Sequence, residues 1–196
     1  MFTGIVAHKG SVVHVEDDGG VRRLTLEAGA LADLMVGDSI AVNGVCLTAV
    51  AVDASRIDVE IVHETLARSS LGTVQPGDPV NLERPMLAQG RFDGHIVQGH
   101  VDGVGTVVQV VNEGDDRRLT IDVPSELARF IVEKGSITVD GVSLTVAAVG
   151  SDQFEVALIP HTLDVTTLGL RKEGDPVNLE VDIIAKYVER LLEAGS

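Results

Sequence analysis

The sequence predicts an all-β fold of tandem, duplicated six-stranded Greek-key β-barrels followed by one C-terminal α-helix. Three observations lead there. The stretch GDPVNLE stands at residues 77–83 and again at residues 174–180, and an internal repeat on this scale decides a fold class before any local reading. Within each copy the apolar residues alternate with polar ones, which is strand periodicity. The final stretch, DIIAKYVERLLEAGS, abandons that alternation for a helical stripe.

The repeat extends well beyond its closing motif. RRLTLE at residues 22–27 matches RRLTID at 117–122, NGVCLTAV at 43–50 matches DGVSLTVA at 140–147, and ETLARSSLG at 64–72 matches HTLDVTTLG at 161–169. In the first copy the alternation runs through Leu24 and Leu26, Ile40 and Val42, Leu47 with Val50 and Val52, Ile57 with Val59 and Ile61, and Val80 with Leu82. Strands are expected near residues 4–15, 21–27, 38–43, 45–53, 56–62 and 79–84, with Gly- and Asp-rich turns between them. Closing such a set into a small barrel leaves no edge strand exposed. Short helical pieces interrupt the pattern. PSELARFIVEKG at 124–135 carries a cap signal at Ser125 and a terminating glycine, and AGALADLMVG is its weaker twin at 28–37.

The first copy ends in PMLAQGRFDGHIVQGH, a connector that divides the chain into a unit over residues 1–94, a second over 95–182 and a terminal helix over 183–196. On that helix Ile184, Tyr187, Val188, Leu191 and Leu192 share one face. Such a stripe either docks on its own barrel or pairs with other chains as a short coiled coil.

Composition excludes several classes of function. A net charge of −15, from 30 acidic and 15 basic residues, repels phosphate backbones and acidic membrane surfaces. Aromatics make up 3% of the chain and tryptophan is absent, so base-stacking platforms are missing as well. No nucleic acid or membrane partner is expected. No apolar run reaches the length of a bilayer span, and the first residues lack a secretory pattern, so the expected location is cytoplasmic. Cys46 is the only cysteine, which excludes an intrachain disulfide and a cysteine-based zinc site. His95 and His100 are expected on opposite faces of a strand, with no carboxylate spacing to complete a metal site.

Taken together, MFTGIV at the start, NGVCLT at 43–48, GHIVQGHVDGVG at 94–105, DGVSLTV at 140–146 and IPHTL at 159–163 closely resemble the riboflavin synthase family. The resemblance covers essentially the whole chain. It implies two six-stranded barrels and a helix that joins three chains into a homotrimer, with each active site between unlike barrels of neighbouring subunits. The implied reaction is the dismutation of two molecules of 6,7-dimethyl-8-ribityllumazine into riboflavin and 5-amino-6-ribitylaminouracil, without a cofactor or metal. Association with the lumazine synthase that makes the substrate is a further implication. The repeat itself points the same way, because two like modules make two like pockets, and a reaction between two copies of one substrate needs such a pair.

One lumazine must give up four carbons and the other receive them, so the copies should differ. Cys46 faces Ser143 at the sharpest matched difference. A thiol becomes a nucleophile more readily than a hydroxyl, although a lone cysteine between Val45 and Leu47 also fits as a small buried hydrophobe. Thr48 and Thr145 share a strand face with Cys46 and Ser143 and can hydrogen-bond a ring or a ribityl chain. His100 is the candidate base for the proton lost from the 7-methyl group. By resemblance, Gly4, Ile5, Val6 and Gly99, His100, Val101 run along the ligands, Phe2 closes a pocket with its ring, and Lys134 stabilises negative charge on the pyrimidine edge. The resemblance also carries Ser39, Leu47, Glu60, Thr65, Leu144, Ala157, Ile159, Thr162 and Asp182 over as substrate contacts. Two other functions compete with the synthase: a non-catalytic lumazine- or flavin-binding fluorescent protein, and a duplication with no ligand.

Overall fold

The computed structural model of the chain describes residues 1–29, 31 and 34–194. The first barrel is built from β1 (His8–Asp18), β2 (Val21–Glu27), β3 (Ser39–Val42), β4 (Val45–Asp53), β5 (Arg56–Val62) and β6 (Pro79–Glu83), with the short helix α1 (His63–Arg68) and a 3-10 turn at Ser70–Gly72 before its last strand. The second repeats the plan with β7 (Gly103–Glu113), β8 (Asp116–Asp122), α2 (Ser125–Ala128), β9 (Ser136–Val139), β10 (Val142–Val149), β11 (Gln153–Leu158), α3 (Pro160–Val165), a 3-10 turn at Thr167–Leu170 and β12 (Pro176–Val181). Helix α4 (Ile183–Ala194) follows. Both sheets close, in the orders β1-β2-β5-β4-β3-β6 and β10-β11-β8-β7-β12-β9.

Each barrel has its own apolar core. Leu24, Leu26, Ile40, Val59, Ile61 and Leu82 fill the first, and Leu119, Ile121, Ile137, Val139, Phe154 and Leu179 the second. Burial of this kind is the main force holding each sheet closed. Val50 breaks the predicted stripe. The β4–β5 pairing slips between Ala49 and Ala51, so Val50 is the extra residue of a β-bulge and is 36% exposed, while Val52 returns to the core. The same slip recurs in β10 between Val146 and Ala148, and a second pair of bulges interrupts β1 and β7.

Two local expectations change. The first strand starts at His8 rather than residue 4, because residues 2–6 leave the first barrel to contact the second. The helix expected over 124–135 is the single turn Ser125–Ala128, with Pro124 at its N-cap and no side-chain capping bond from Ser125. Its twin at 28–37 includes residues 30, 32 and 33, which lie outside the described residues.

Asn43-Gly44 and Asp140-Gly141 have positive φ at all four residues, the geometry of two-residue hairpin turns that joins β3 to β4 and β9 to β10. These two turns meet each other between the barrels. A Cβ on Gly44 would lie 2.7 Å from the Gly141 nitrogen, and one on Gly141 equally close to Gly44, so neither glycine can carry a side chain.

Candidate functional site

The two copies exchange their leading segments. Phe2 and Val97 pair as an antiparallel bridge, with Phe2 N donating to Val97 O at 2.7 Å. Beyond the bridge each segment crosses to the other barrel: Ser143 N donates to Gly4 O and Cys46 N to Gly99 O, both at 2.8 Å. Val6 accordingly packs against the second core and Val101 against the first. Residues 95–100 form no strand beyond the bridge at Val97, which replaces the expected opposite-face arrangement of His95 and His100.

This crossing sorts the predicted residues into two groups. Cys46, Thr65, Gly99, His100 and Val101 line one cavity of about 140 Å³ together with Val45, Glu64, Arg68 and Ser69. Ser39 pairs with Thr48 across the β3–β4 ladder, on the outward face that Cys46 shares. The second group surrounds Ser143. Gly4, Ile5 and Val6 run past it, Thr145 lies outward two residues on, and Lys134 N donates to Val146 O at 2.9 Å beside them. Ile159 precedes α3 and Thr162 lies within it, and Lys9 reaches over from β1 to donate to the Asp164 carbonyl at 2.9 Å.

Several side chains point elsewhere. Leu47 enters the first core and Leu144 packs against the second, so only their backbones face outward. Glu60 accepts from Arg23 at 2.5 Å and lines a different concavity with Glu16, Asp18 and Val21. Ala157 is exposed on β11, paired with Arg118. Phe2 is fully buried in a small cluster with Ala41 and Val97, against Cys46. Its ring therefore supports Cys46 from within instead of lying open over a pocket. A separate concavity of about 540 Å³ shares only Ile5 with the residues singled out.

His95, in the connector, is a functional candidate whose contacts the sequence does not reveal. Its Nδ1 lies 2.7 Å from Ser143 Oγ and its Nε2 3.1 Å from Thr138 Oγ1. Burial lowers its pKa, with the charge of Asp182 opposing that shift in part. Asp182 in turn accepts from Ile184 N at 2.9 Å, capping α4. Two buried carboxylates fix the crossing segments. Glu83 accepts from Thr3 N, Thr3 Oγ1 and Gly4 N, and Glu180 accepts from Gln98 N and Gly99 N. Burial raises the pKa of both, more than these hydrogen bonds lower it. Among the described residues no cluster of His, Cys, Asp and Glu could hold a metal ion, and no helix is long and apolar enough to cross a membrane.

Two closed barrels, each with a segment of the other bonded to it at Ser143 or Cys46, match the profile of the Lumazine binding domain twice, over residues 3–85 and 98–182. The chain is thus a tandem lumazine-binding-domain protein. It is 50% identical to riboflavin synthase of Mycobacterium bovis, with all of both chains covered. It is 45% identical to riboflavin synthase of Actinobacillus pleuropneumoniae over 98% of this chain and 90% of the relative, and 40% identical to that of Bacillus subtilis over 100% and 92%. The chain belongs to the riboflavin synthase family and is an enzyme of the transferase class. Its fold also matches the crystal structure of LumP complexed with riboflavin, at a TM-score of 0.86 and 25% identity over 92% of this chain and 99% of the other.

Proposed function

We propose that the chain converts two molecules of 6,7-dimethyl-8-ribityllumazine into riboflavin and 5-amino-6-ribitylaminouracil by passing a four-carbon unit between them. The observation that carries this reading is that each barrel receives a segment of the other at matched positions, which hold Cys46 in one copy and Ser143 in the other. Equal pockets would suit simple storage, whereas a donor and an acceptor need different surroundings. The curated relatives at 40% to 50% identity favour the synthase over a non-catalytic binding protein, since the LumP structure stands at 25%.

The Cys46-side cavity, at about 140 Å³, falls short of the roughly 300 Å³ and upward that enclose a small ligand. It is half a site. Helix α4 supports completion by neighbouring chains. Lys186 and Glu189 face their own barrel through ion pairs with Asp102 and Arg129, while Ile184, Tyr187, Val188, Leu191 and Leu192 are 50% to 73% exposed. The exposed stripe suits a homotrimer in which unlike barrels meet and hold two substrates face to face.

On the Ser143 side, the tautomer of neutral His95 that carries its proton on Nε2 would donate to Thr138 and accept from the Ser143 hydroxyl. This makes Ser143 and His95 a proton relay beside the ring. Lys134, whose backbone amide donates to Val146 O, would bring its positive charge to the same side. On the Cys46 side the thiol and the exposed His100 share one cavity wall, where Cys46 adds to or orients the second ring and His100 accepts the methyl proton.

Purified protein given only the lumazine, with a chelator and no added cofactor, tests the reading. Two lumazines should disappear for each riboflavin formed. A shifted lumazine spectrum with no riboflavin would point to a binding protein instead.

A further inference from the structure

We infer that Lys186 is a positioning residue: through Asp102 it ties helix α4 to the segment that walls the Cys46-side pocket, and only to that one. Asp102 Oδ1 accepts from Lys186 Nζ at 2.5 Å and Oδ2 accepts from Val181 N at 2.9 Å. The pair is largely withdrawn from solvent, with the side chains 28% and 17% exposed, so it orients its partners far better than a surface ion pair does. The Asp102 amide donates to Leu179 O at 2.8 Å, and Glu180 accepts from Gln98 N at 2.7 Å and Gly99 N at 2.9 Å. Gly99 O then receives Cys46 N at 2.8 Å. Hydrogen bonds and a few covalent steps thus run from the helix to the thiol.

The first copy lacks this device. Ala7 occupies the matching place, since its amide donates to Leu82 O as that of Asp102 does to Leu179 O, but it offers no carboxylate. The segment beside Ser143 is locked locally, by the Thr3 hydroxyl on Glu83 at 2.8 Å. Through Lys186 the helix that presents an exposed apolar stripe is therefore tied to the Cys46-side segment, and it makes no matching ion pair through Ala7 to the segment beside Ser143. Arg68, which lines the Cys46-side cavity, also feels the charge of Asp102. Without Lys186 the carboxylate is drawn toward that cavity.

The inference rests on the proposed reaction for its kinetic readout alone. Lys186→Met and Lys186→Arg are made in the full chain. The Met variant should keep the wild-type mass by light scattering, lose about tenfold in kcat with a smaller change in KM, and let iodoacetamide alkylate Cys46, the sole cysteine, several-fold faster. Hydrogen exchange should quicken at His100 and Val101 and stay unchanged at Ile5 and Val6. Lys186→Arg should restore all of these. Unchanged alkylation, equal quickening in both segments, or no rescue by arginine overturns the inference. A wild-type protein without turnover would overturn the proposed reaction instead and leave the alkylation and exchange results decisive. Should the Met variant not fold, Asp102→Asn, which keeps an acceptor for Val181 N, is read in the same way.

Discussion

Asn81 and Asn178 occupy matching places in the two barrels, and each donates its side-chain amide to a backbone carbonyl of the other barrel at 2.8 Å, Asn81 to Asp140 and Asn178 to Asn43. Their oxygens accept across the same boundary, from Thr167 N and Ser70 N at 2.7 Å. Both asparagines belong to the repeated GDPVNLE, and so do Glu83 and Glu180, which fix the crossing segments. The duplicated stretch is therefore the lock between the barrels and the anchor of both pocket walls. Identity across the copies follows from reciprocity, since each copy must fit the socket that the other provides.

Replacing Asn81 or Asn178 by alanine leaves a buried amide and a buried carbonyl without partners. Each such group costs about 1–3 kcal/mol, and for a chain of this size one kcal/mol moves the melting point by about 2–4 °C. With two such groups, each single variant should melt roughly 4–24 °C lower in a calorimetric or circular dichroism scan. The double variant should fall short of the sum, because the partners share one network.

The lock is not wholly symmetric. Asp140 stands where the first copy has Asn43, and its buried carboxylate pairs with Arg171 at 2.7 Å, where the first copy has Val74. Burial raises the Asp140 pKa, with Arg171 opposing the shift. Arg171→Val alone should destabilise strongly, by about 3–5 kcal/mol, since it leaves a buried charge unpaired. Arg171→Val with Asp140→Asn recreates the first copy and should recover most of that loss. Urea unfolding of the three proteins decides whether the two substitutions compensate.

Much of this architecture is legible in the sequence, for identifiable reasons. Alternation at Leu24, Leu26, Val59 and Ile61 reports directly on a closed, one-sided sheet, and Asn43-Gly44 and Asp140-Gly141 mark their hairpin turns by the φ values they demand. The bulge at Val50 is illegible because a bulged valine and a core valine read alike. The exchange of leading segments leaves no periodic trace, since Gly4 and Gly99 act through backbone atoms at the other barrel. The sequence neighbours of Phe2 suggest a pocket cover, whereas the folded chain buries its ring beside Ala41 and Val97. Of the candidate site, strand-face reasoning placed Cys46 with Thr48 and Ser143 with Thr145, while His95 escaped because the bonds of a connector side chain depend on the folded path.

The exposed stripe of α4 can be tested without removing the helix. Val188→Asp with Leu191→Lys keeps the ion pairs of Lys186 and Glu189 but places charge on the apolar face. Light scattering should show a trimer for the unaltered chain and a monomer for this variant. Turnover should fall by at least about 100-fold, because proximity of the two substrates is lost, while lumazine binding persists. A variant that stays trimeric would remove α4 from the assembly.

Unlike pockets imply unlike responses at Cys46 and Ser143. Cys46→Ala should lower kcat by about 10-fold or more with a smaller change in lumazine affinity, since a group acting in the reacting complex affects rate over ground-state binding. Cys46→Ser should retain part of the activity. Equal losses of rate and affinity would reduce Cys46 to a shaping role above Phe2.

His95 gives the Ser143 side a distinct pH signature. Because burial lowers its pKa below the usual value of about 6.5, the ring stays neutral at neutral pH and can receive the Ser143 proton. The acid limb of kcat should therefore lie below pH 6.5, and His95→Gln should lose about 100-fold in kcat, within the range expected for a general base, together with that limb. Stability follows the same sign. A histidine whose folded pKa is depressed contributes stability that is present above its unfolded pKa and lost as pH falls toward the folded value, so the wild-type melting point should decline below pH 6.5 more steeply than that of His95→Gln. Asp182→Asn provides the internal control: it keeps an oxygen to cap Ile184 N but removes the charge that favours protonated His95. The acid limb should then move to still lower pH with α4 intact. A limb that stays in place in Asp182→Asn and survives in His95→Gln would assign the titration to another group, with His100 at the Cys46-side cavity the first to replace next.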